Sequence, residues 1–254
     1  MKIVLLSPLF LVLWAAAPAA AGADFDHSAF DAALKAHVDA EGLVDYAGMA
    51  RDPRFRAYLA ALEGADPERL DRAGRLAFWI NAYNAVTIDK VIRKRPRKSV
   101  RETLVPGVWI STRFFTTRDH VVAGRRLSQD DIEHRILRPV FRDPRVHFAL
   151  ICASMGCPKM PRAAYTAADV DRRLDEEVRR YLASGRGLRV DRRRNVLYVS
   201  RIFEWFEEDF GGPSGVVAFL RKYAPAEARA FLEGSPRIDY LPYDWSLNAQ
   251  APLR

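Results

Sequence analysis

Cysteine is scarce in this chain. Cys152 and Cys157 are the only two in 254 residues, so one bridge is the most the chain can form, and their C-x-x-x-x-C spacing lacks the two-residue gap of thioredoxin-like motifs. The five histidines include no H-x-x-x-H or H-E-x-x-H pair. No metal site and no cofactor are therefore expected. Long apolar runs are missing beyond the N-terminus, where nothing approaches the roughly 18–20 residues of a membrane span, so no integral membrane segment is expected in the mature chain. There is no internal repeat and no low-complexity segment. The charge of +8 is carried mostly by scattered arginine, densest at Arg93–Arg101 and Arg192–Arg194. No aromatic residues are interleaved there for base stacking, so no nucleic-acid partner is expected. These runs read as a helix end and a hairpin turn covered with solvated arginine, and an anionic envelope surface is the other candidate contact.

What the N-terminus does contain sets the expected compartment. Met1-Lys2 is a short basic start, Ile3 to Ala17 is apolar apart from Ser7 and Pro8, and Pro18–Ala23 supplies small residues before Asp24. These are the parts of a secretory signal peptide over residues 1–23, with cleavage after Ala21 or Ala23 fitting equally well. No cysteine follows the run, so a lipoprotein anchor is not expected. The chain should be periplasmic or secreted, where a bridge between its two cysteines is permitted. Residues 24–254, about 230 in number with 49% hydrophobic content over the whole chain, suit a single globular domain.

Helical signals dominate. Phe30, Leu34 and Val38 are spaced for an amphipathic helix over Phe25–Val38, and Gly42–Tyr46 reads as a short extended piece. Asp52-Pro53 opens a helix through Leu62. Asp66-Pro67-Glu68 starts the longest helical region, with a break near Gly74 and an end near Arg93. In its centre, Leu76 to Ile88 is apolar on every face, which marks a buried central helix. Trp109–Thr117 and Val121–Leu127 are rich in aromatic and β-branched residues and read as strands. Ser128 and Asp131 form a capping box for a helix through Leu137 that stops near Pro139. Thr166–Asp169 caps a helix to about Leu182, Leu188–Val190 and Val196–Val199 form a hairpin, and Ser200 caps Ile202–Phe210. Short helices follow at Val216–Tyr223 and Pro225–Glu233. Strands occur in local pairs without strand–helix alternation. The fold class is α+β, mostly helical, with a small, largely antiparallel sheet.

The stretch with most chemical content is Arg145–Pro158. Val146–Ile151 reads as a buried strand running into a tight loop, ended by small residues, Gly156 and Pro158. Such a strand can deliver a thiol to an active site or can be a core strand ending in a disulfide. A nucleophilic Cys152 needs a histidine and an orienting group: His147, His134 and His120 are candidates, with Glu133, Asp131, Asp244 or Asn84 behind them. Ala153, Ser154 and Gly156 offer backbone N–H groups to an oxyanion. On a straight strand, positions 147 and 152 face opposite ways, which favours His134 over His147. Asn81 and Asn84 share one side of the central helix; each either pins a crossing loop or donates to a substrate carbonyl. Trp205, Tyr240, Tyr243 and Trp245 read as core anchors in preference to a sugar-binding platform.

Several of these stretches together resemble one family. Phe78–Ala85, the Asp131–Arg138 helix, Asp143–Leu150, Cys152-Ala153-Ser154 with Cys157-Pro158, and the Tyr243–Asn248 ending look like a DUF547 domain. The resemblance covers about Asp66–Leu182 well and continues to near Asn248. It implies a family found in bacteria, often behind a signal peptide, and at the C-terminus of some plant and animal proteins. It implies no activity and no catalytic residues.

Two functions follow from the residues. One is a thiol-dependent hydrolase or acyl transferase of the envelope, built from Cys152, His134, His147, Glu133, Asn84 and Asn81. The other is a non-catalytic module that binds an envelope peptide or protein partner, its loop stapled by a Cys152–Cys157 disulfide. Closing so short a loop contributes only about 2 kcal/mol, enough to fix the loop and too little to hold the fold.

Overall fold

Asp45, Asp52, Asp66 and Asp71 each accept a hydrogen bond from a backbone N–H two or three residues ahead, and together they punctuate the helical N-terminal half. A computed structural model describes residues 24–102 and 113–252. The expected signal peptide and the 109–112 part of the first expected strand lie outside these residues. Helices α1 (Ser28–His37), α2 (Tyr46–Arg51) and α3 (Pro53–Glu63) come first, with Phe30 stacked on Tyr58 at 4.8 Å between α1 and α3. A 3-10 turn at Pro67–Arg69 then precedes α4 (Arg72–Lys94). The break expected near Gly74 falls instead at Asp71, whose carboxylate accepts from Gly74 N–H at 2.7 Å and so starts the helix.

Helix α4 is the buried centre. Every residue from Leu76 to Val91 is buried, as its all-round apolar pattern requires. Each of its large apolar side chains removed from water contributes about 1.5–3 kcal/mol. Lys90, fully buried on α4, holds Thr117 O and Gln129 Oε1 at 2.8 Å each. That bond anchors α5 (Arg113–Thr116), a helical turn where a strand was expected; burying Phe114 overrides the β-branched pattern. Strands β1 (His120–Val122) and β2 (Arg125–Leu127) form an antiparallel hairpin through Ala123 and Gly124, both at positive φ.

The Ser128–Asp131 capping box forms as expected, with Ser128 Oγ accepting from Asp131 N–H at 3.0 Å. It opens a π-helix, Asp131–Phe141, that passes through Pro139 and ends at left-handed Arg142. The expected stop at Pro139 fails because a proline in the last turn forfeits a single bond. Pro144–Phe148 is a 3-10 helix, and the strand expected over Val146–Ile151 is absent. Asp143 accepts from Arg145 N–H at 3.0 Å and Pro144 presets the first helical φ. A fully buried segment is apolar throughout whether helical or extended, so the pattern alone did not distinguish them.

Helix α6 (Val170–Leu182) leads to strands β3 (Leu188–Asp191) and β4 (Val196–Val199), which pair antiparallel. After α7 (Ile202–Trp205), a 3-10 turn at Glu207–Phe210, α8 (Gly212–Tyr223) and α9 (Ala226–Leu232), strand β5 (Arg237–Tyr240) returns parallel to β4. The fold is α+β and mostly helical, with one two-stranded and one three-stranded sheet among the described residues. Two apolar clusters meet at the cysteine stretch. Val146, Ala149, Leu150 and Ile151 belong to the cluster around α4, whereas Phe148 joins the C-terminal one with Phe203, Phe210 and Phe219. No helix among the described residues is long and apolar enough to cross a membrane.

Candidate functional site

Asn81 and Asn84 are both spent on backbone. Asn84 donates from Nδ2 to Ala149 O and accepts from Ile151 N–H, both at 2.9 Å. Asn81 does the same for Tyr165, donating to its carbonyl at 2.8 Å and accepting from its N–H at 2.9 Å. Each closes a two-point clamp from the buried helix onto a loop that has no ladder of its own, which satisfies buried groups that would otherwise remain unpaired. Asn84 thereby fixes the residue immediately before Cys152.

Cys152 and Cys157 are joined in a disulfide with Cα atoms 6.3 Å apart. Ala153 turns the chain at φ 59°, a left-handed conformation that a non-glycine residue holds only when its surroundings enforce it. The chain's last segment supplies that enforcement. Asn248 N–H donates to Ala153 O at 3.2 Å, Met155 N–H to Ser246 O at 2.7 Å and Gly156 N–H to Asp244 O at 2.7 Å. A Cβ at position 156 would stand 2.9 Å from Asp244 N and O, so glycine is required by close backbone approach. Gly156 N–H, an expected oxyanion donor, is therefore already occupied.

The sulfurs are polarised by their surroundings. Cys152 N–H donates to Cys157 Sγ at 3.0 Å, and Tyr243 OH lies 3.2 Å from both sulfurs. Ser154 Oγ is 3.0 Å from Cys152 Sγ. Bonded sulfurs carry no hydrogen, so the hydroxyls are the donors. Burial raises the Tyr243 pKa and keeps that donor protonated.

Cys152 is half-buried and faces a cleft of about 410 Å³ that it shares with Tyr83, Arg101, Asp130, Glu133, His134, Trp205 and Trp245. The aromatic residues correct an expectation. Trp205 is 43% exposed, and Tyr243 and Trp245 are only partly buried, so these three are not core anchors, whereas the partly buried Tyr240 packs against the C-terminal apolar cluster. Trp205, Tyr243 and Trp245 instead form a mutually packed wall, with ring centroids 4.7–5.6 Å apart. The Arg101 guanidinium caps it, 4.5 Å from the Trp245 ring.

Behind the cleft lies a partly buried charge network centred on the buried His147. His147 Nε2 is 2.7 Å from Asp209 Oδ2 and its Nδ1 is 3.5 Å from Glu133 Oε1, while Phe206 stacks on its ring at 3.8 Å. Arg138 holds Asp209 with two bonds, of 2.6 and 2.9 Å, and also contacts His134 Nδ1 at 2.6 Å. Burial alone would lower the His147 pKa, but the bond to Asp209 and the nearby Glu133 carboxylate outweigh it and raise it. Burial would likewise raise the Asp209 pKa, and its bonds to His147 and Arg138 hold it well below the usual carboxylate range.

The structure thus brings Cys152, Glu133 and His134 to one cleft and places His147 behind Glu133. With the strand gone, the parity argument against His147 no longer applies. His120 is elsewhere, buried 2.6 Å from Asp89. Asp131 is spent on Ser128 and Arg118, and Asp244 caps Ser246. Sequence reasoning missed Asp209, Arg138, Arg101 and the aromatic wall. Asp209 lies 62 positions from His147, and no spacing rule links them.

Fold and site define an α+β protein whose cleft has a disulfide in its floor and an aromatic wall. Residues 67–182 match a family model described as a protein of unknown function, DUF547. That match supports a DUF547 domain over those residues. No curated protein and no solved structure matches it. The matched span runs from the 3-10 turn at Pro67 to the end of α6, and so contains Asn81, Asn84, Glu133, His134, His147 and both cysteines. Asp209, Trp205, Tyr243 and Trp245 lie beyond it.

Proposed function

We propose that this protein is an exported, non-catalytic binding module that takes a peptide segment in the cleft beside the Cys152–Cys157 staple. The observation that carries this reading is the bond between the two sulfurs, which leaves no thiol in the cleft to act as a nucleophile. Trp205 and Trp245 offer rigid apolar surface at low entropic cost. Arg101, Asp130 and Glu133 in the lining supply charges of both signs to orient a chain. The N-terminal pattern of basic start, apolar run and Ala-x-Ala supports export to a compartment where the staple persists.

Panning a random-peptide display library against the purified, unreduced protein tests this reading. Enriched peptides should bind wild type and lose affinity at least about tenfold in a Trp205→Ala/Trp245→Ala double variant, as hot-spot truncation does elsewhere. No enrichment, or equal binding by the double variant, would overturn it.

One observation favours a second reading, a thiol-dependent hydrolase or acyl transferase: Cys152, Glu133 and His134 line the same cleft. That chemistry requires the bond to be opened first. Ester or thioester cleavage that appears only after reduction, and disappears in Cys152→Ser, would select it over the binding module.

A further inference from the structure

The two sulfurs of the bridge are not equivalent. Cys152 is half-buried and lines the cleft, whereas Cys157 is 3% exposed and packed in the α4 cluster. Both sulfurs share Tyr243 OH at 3.2 Å, and Cys152 Sγ also has the rotatable Ser154 hydroxyl at 3.0 Å, but only the inaccessible Cys157 Sγ faces a fixed backbone donor, the Cys152 N–H at 3.0 Å. An incoming thiolate reaches Cys152 Sγ from the cleft. The electron pair of the broken bond then falls on Cys157 Sγ, where an N–H and an O–H already stand.

We infer that the bridge is a thiol–disulfide exchange site with fixed polarity, Cys152 being the attacked sulfur and Cys157 the leaving one, and that its co-reactant is a dithiol. The steps balance. The first thiolate of the dithiol forms a bond to Cys152 Sγ as the Cys152–Cys157 bond breaks, and Cys157 leaves as a thiolate and takes up a proton. The second thiolate of the dithiol then attacks its own sulfur in the mixed disulfide and expels Cys152. The dithiol is oxidised by two electrons to a disulfide, and the protein is reduced by two to a pair of thiols.

Donors to a leaving thiolate lower its pKa and speed its departure. The surrounding framework is suited to this. Asn84 fixes Ile151 on one side of Cys152, and the Met155 and Gly156 bonds to the C-terminal segment hold the loop on the other. The donors therefore keep their aim when the bond opens. This inference depends on neither reading above, because it needs no peptide affinity and no hydrolytic step.

The test uses the full, unreduced protein. Brief reaction with a monothiol, glutathione, followed by acid quench and peptide mapping, locates the mixed disulfide. The adduct is expected on Cys152 in more than about nine molecules of ten, with Cys157 labelled afterwards by maleimide. An adduct on Cys157, or divided evenly, overturns the polarity. Reduction rates with dithiothreitol and with a short Cys-x-x-Cys peptide are then compared in wild type and Tyr243→Phe. Loss of one hydrogen bond to a developing thiolate should slow reduction by about tenfold in both arms. The faster arm names the dithiol as small or peptidyl. An unchanged rate in Tyr243→Phe overturns the role of that donor. Should that variant not fold, the adduct map on wild type still decides the polarity.

Discussion

His147 Nε2 and Asp209 Oδ2 stand 2.7 Å apart across 62 residues of chain, with Arg138 completing the far side of the carboxylate. This contact ties the 3-10 turn that precedes the cysteine loop to the C-terminal cluster. His147 is buried and Asp209 only partly so, and removing the carboxylate leaves the imidazole without its partner, so Asp209→Asn should cost about 2 kcal/mol in chemical denaturation. A loss below about 1 kcal/mol, the range of an exposed ion pair, would mean that the network is solvated.

The same histidine sets one flank of the pH–stability profile. Its folded pKa is raised above the ordinary 6.5 by Asp209 and Glu133, net of burial. Its contribution is thus fully present below pH 6.5 and lost as pH rises through the higher folded value. His27 acts in the opposite sense. Burial lowers its pKa to about 4, against Tyr58 OH at 2.8 Å from its Nδ1. Between pH 6.5 and 4 the unfolded chain binds the proton first, so stability falls as pH falls. Between pH 4 and 8 the melting midpoint should therefore peak near pH 6.5. His147→Gln should flatten the alkaline flank and His27→Gln the acid flank. Profiles that superimpose on wild type would refute both assignments.

The two amides of α4 make a paired prediction. Asn81→Ala and Asn84→Ala each orphan one buried N–H and one buried carbonyl, so each should cost about 2–4 kcal/mol. Their effects on the bridge should differ. Asn84 holds Ile151 beside Cys152, whereas Asn81 holds Tyr165. Asn84→Ala should change the rate of reduction of the bridge by dithiothreitol and Asn81→Ala should not. Equal changes in both would show that the rate follows global stability alone.

The legibility of these features in the sequence divides along physical lines. Caps whose partners lie within three residues, at Asp52 and Ser128, were readable because the chemistry is local. So was the burial of α4, because an apolar residue at every position leaves no solvated face. The extent of Val146–Ile151 was readable but its conformation was not, since complete burial erases the periodicity that separates helix from strand. The Trp205–Tyr243–Trp245 wall was misread because aromatic content signals burial on average and carries no record of which rings line a cleft. Asp209 was illegible because its partners are set by the crossover that carries β5 back beside β4.

Lys90 offers a test on the alkaline side. Its ammonium is buried, and burial lowers its pKa to about 8 from 10.5. Between those values the unfolded chain holds the proton more tightly, so this residue makes stability rise with pH. Lys90→Met keeps the volume but orphans Gln129 Oε1 and Thr117 O, at a cost of about 1–3 kcal/mol. The wild-type minus variant difference in unfolding free energy should widen from pH 7.5 to 9.5, below the range where tyrosines ionise in the unfolded chain at about 10. A difference that stays constant with pH would show that the amine does not titrate in this window.

Gly156→Ala is the sharpest test of how the cysteine loop is held. The added methyl would meet Asp244 N and O and Tyr243 Cδ1, all at 2.9 Å. Two of these atoms are backbone, so the clash cannot be relieved by rotating a side chain. The loop must instead separate from the C-terminal segment, breaking the Met155–Ser246 and Gly156–Asp244 bonds. Overpacking of this kind costs about 1–3 kcal/mol. The separation also carries Tyr243 away from Cys157. Gly156→Ala should therefore lower the melting midpoint and slow reduction of the bridge, whereas ordinary destabilisation exposes a disulfide and speeds its reduction. A less stable variant whose bridge reduces faster would mean that the C-terminal segment merely shields the sulfurs and does not activate them.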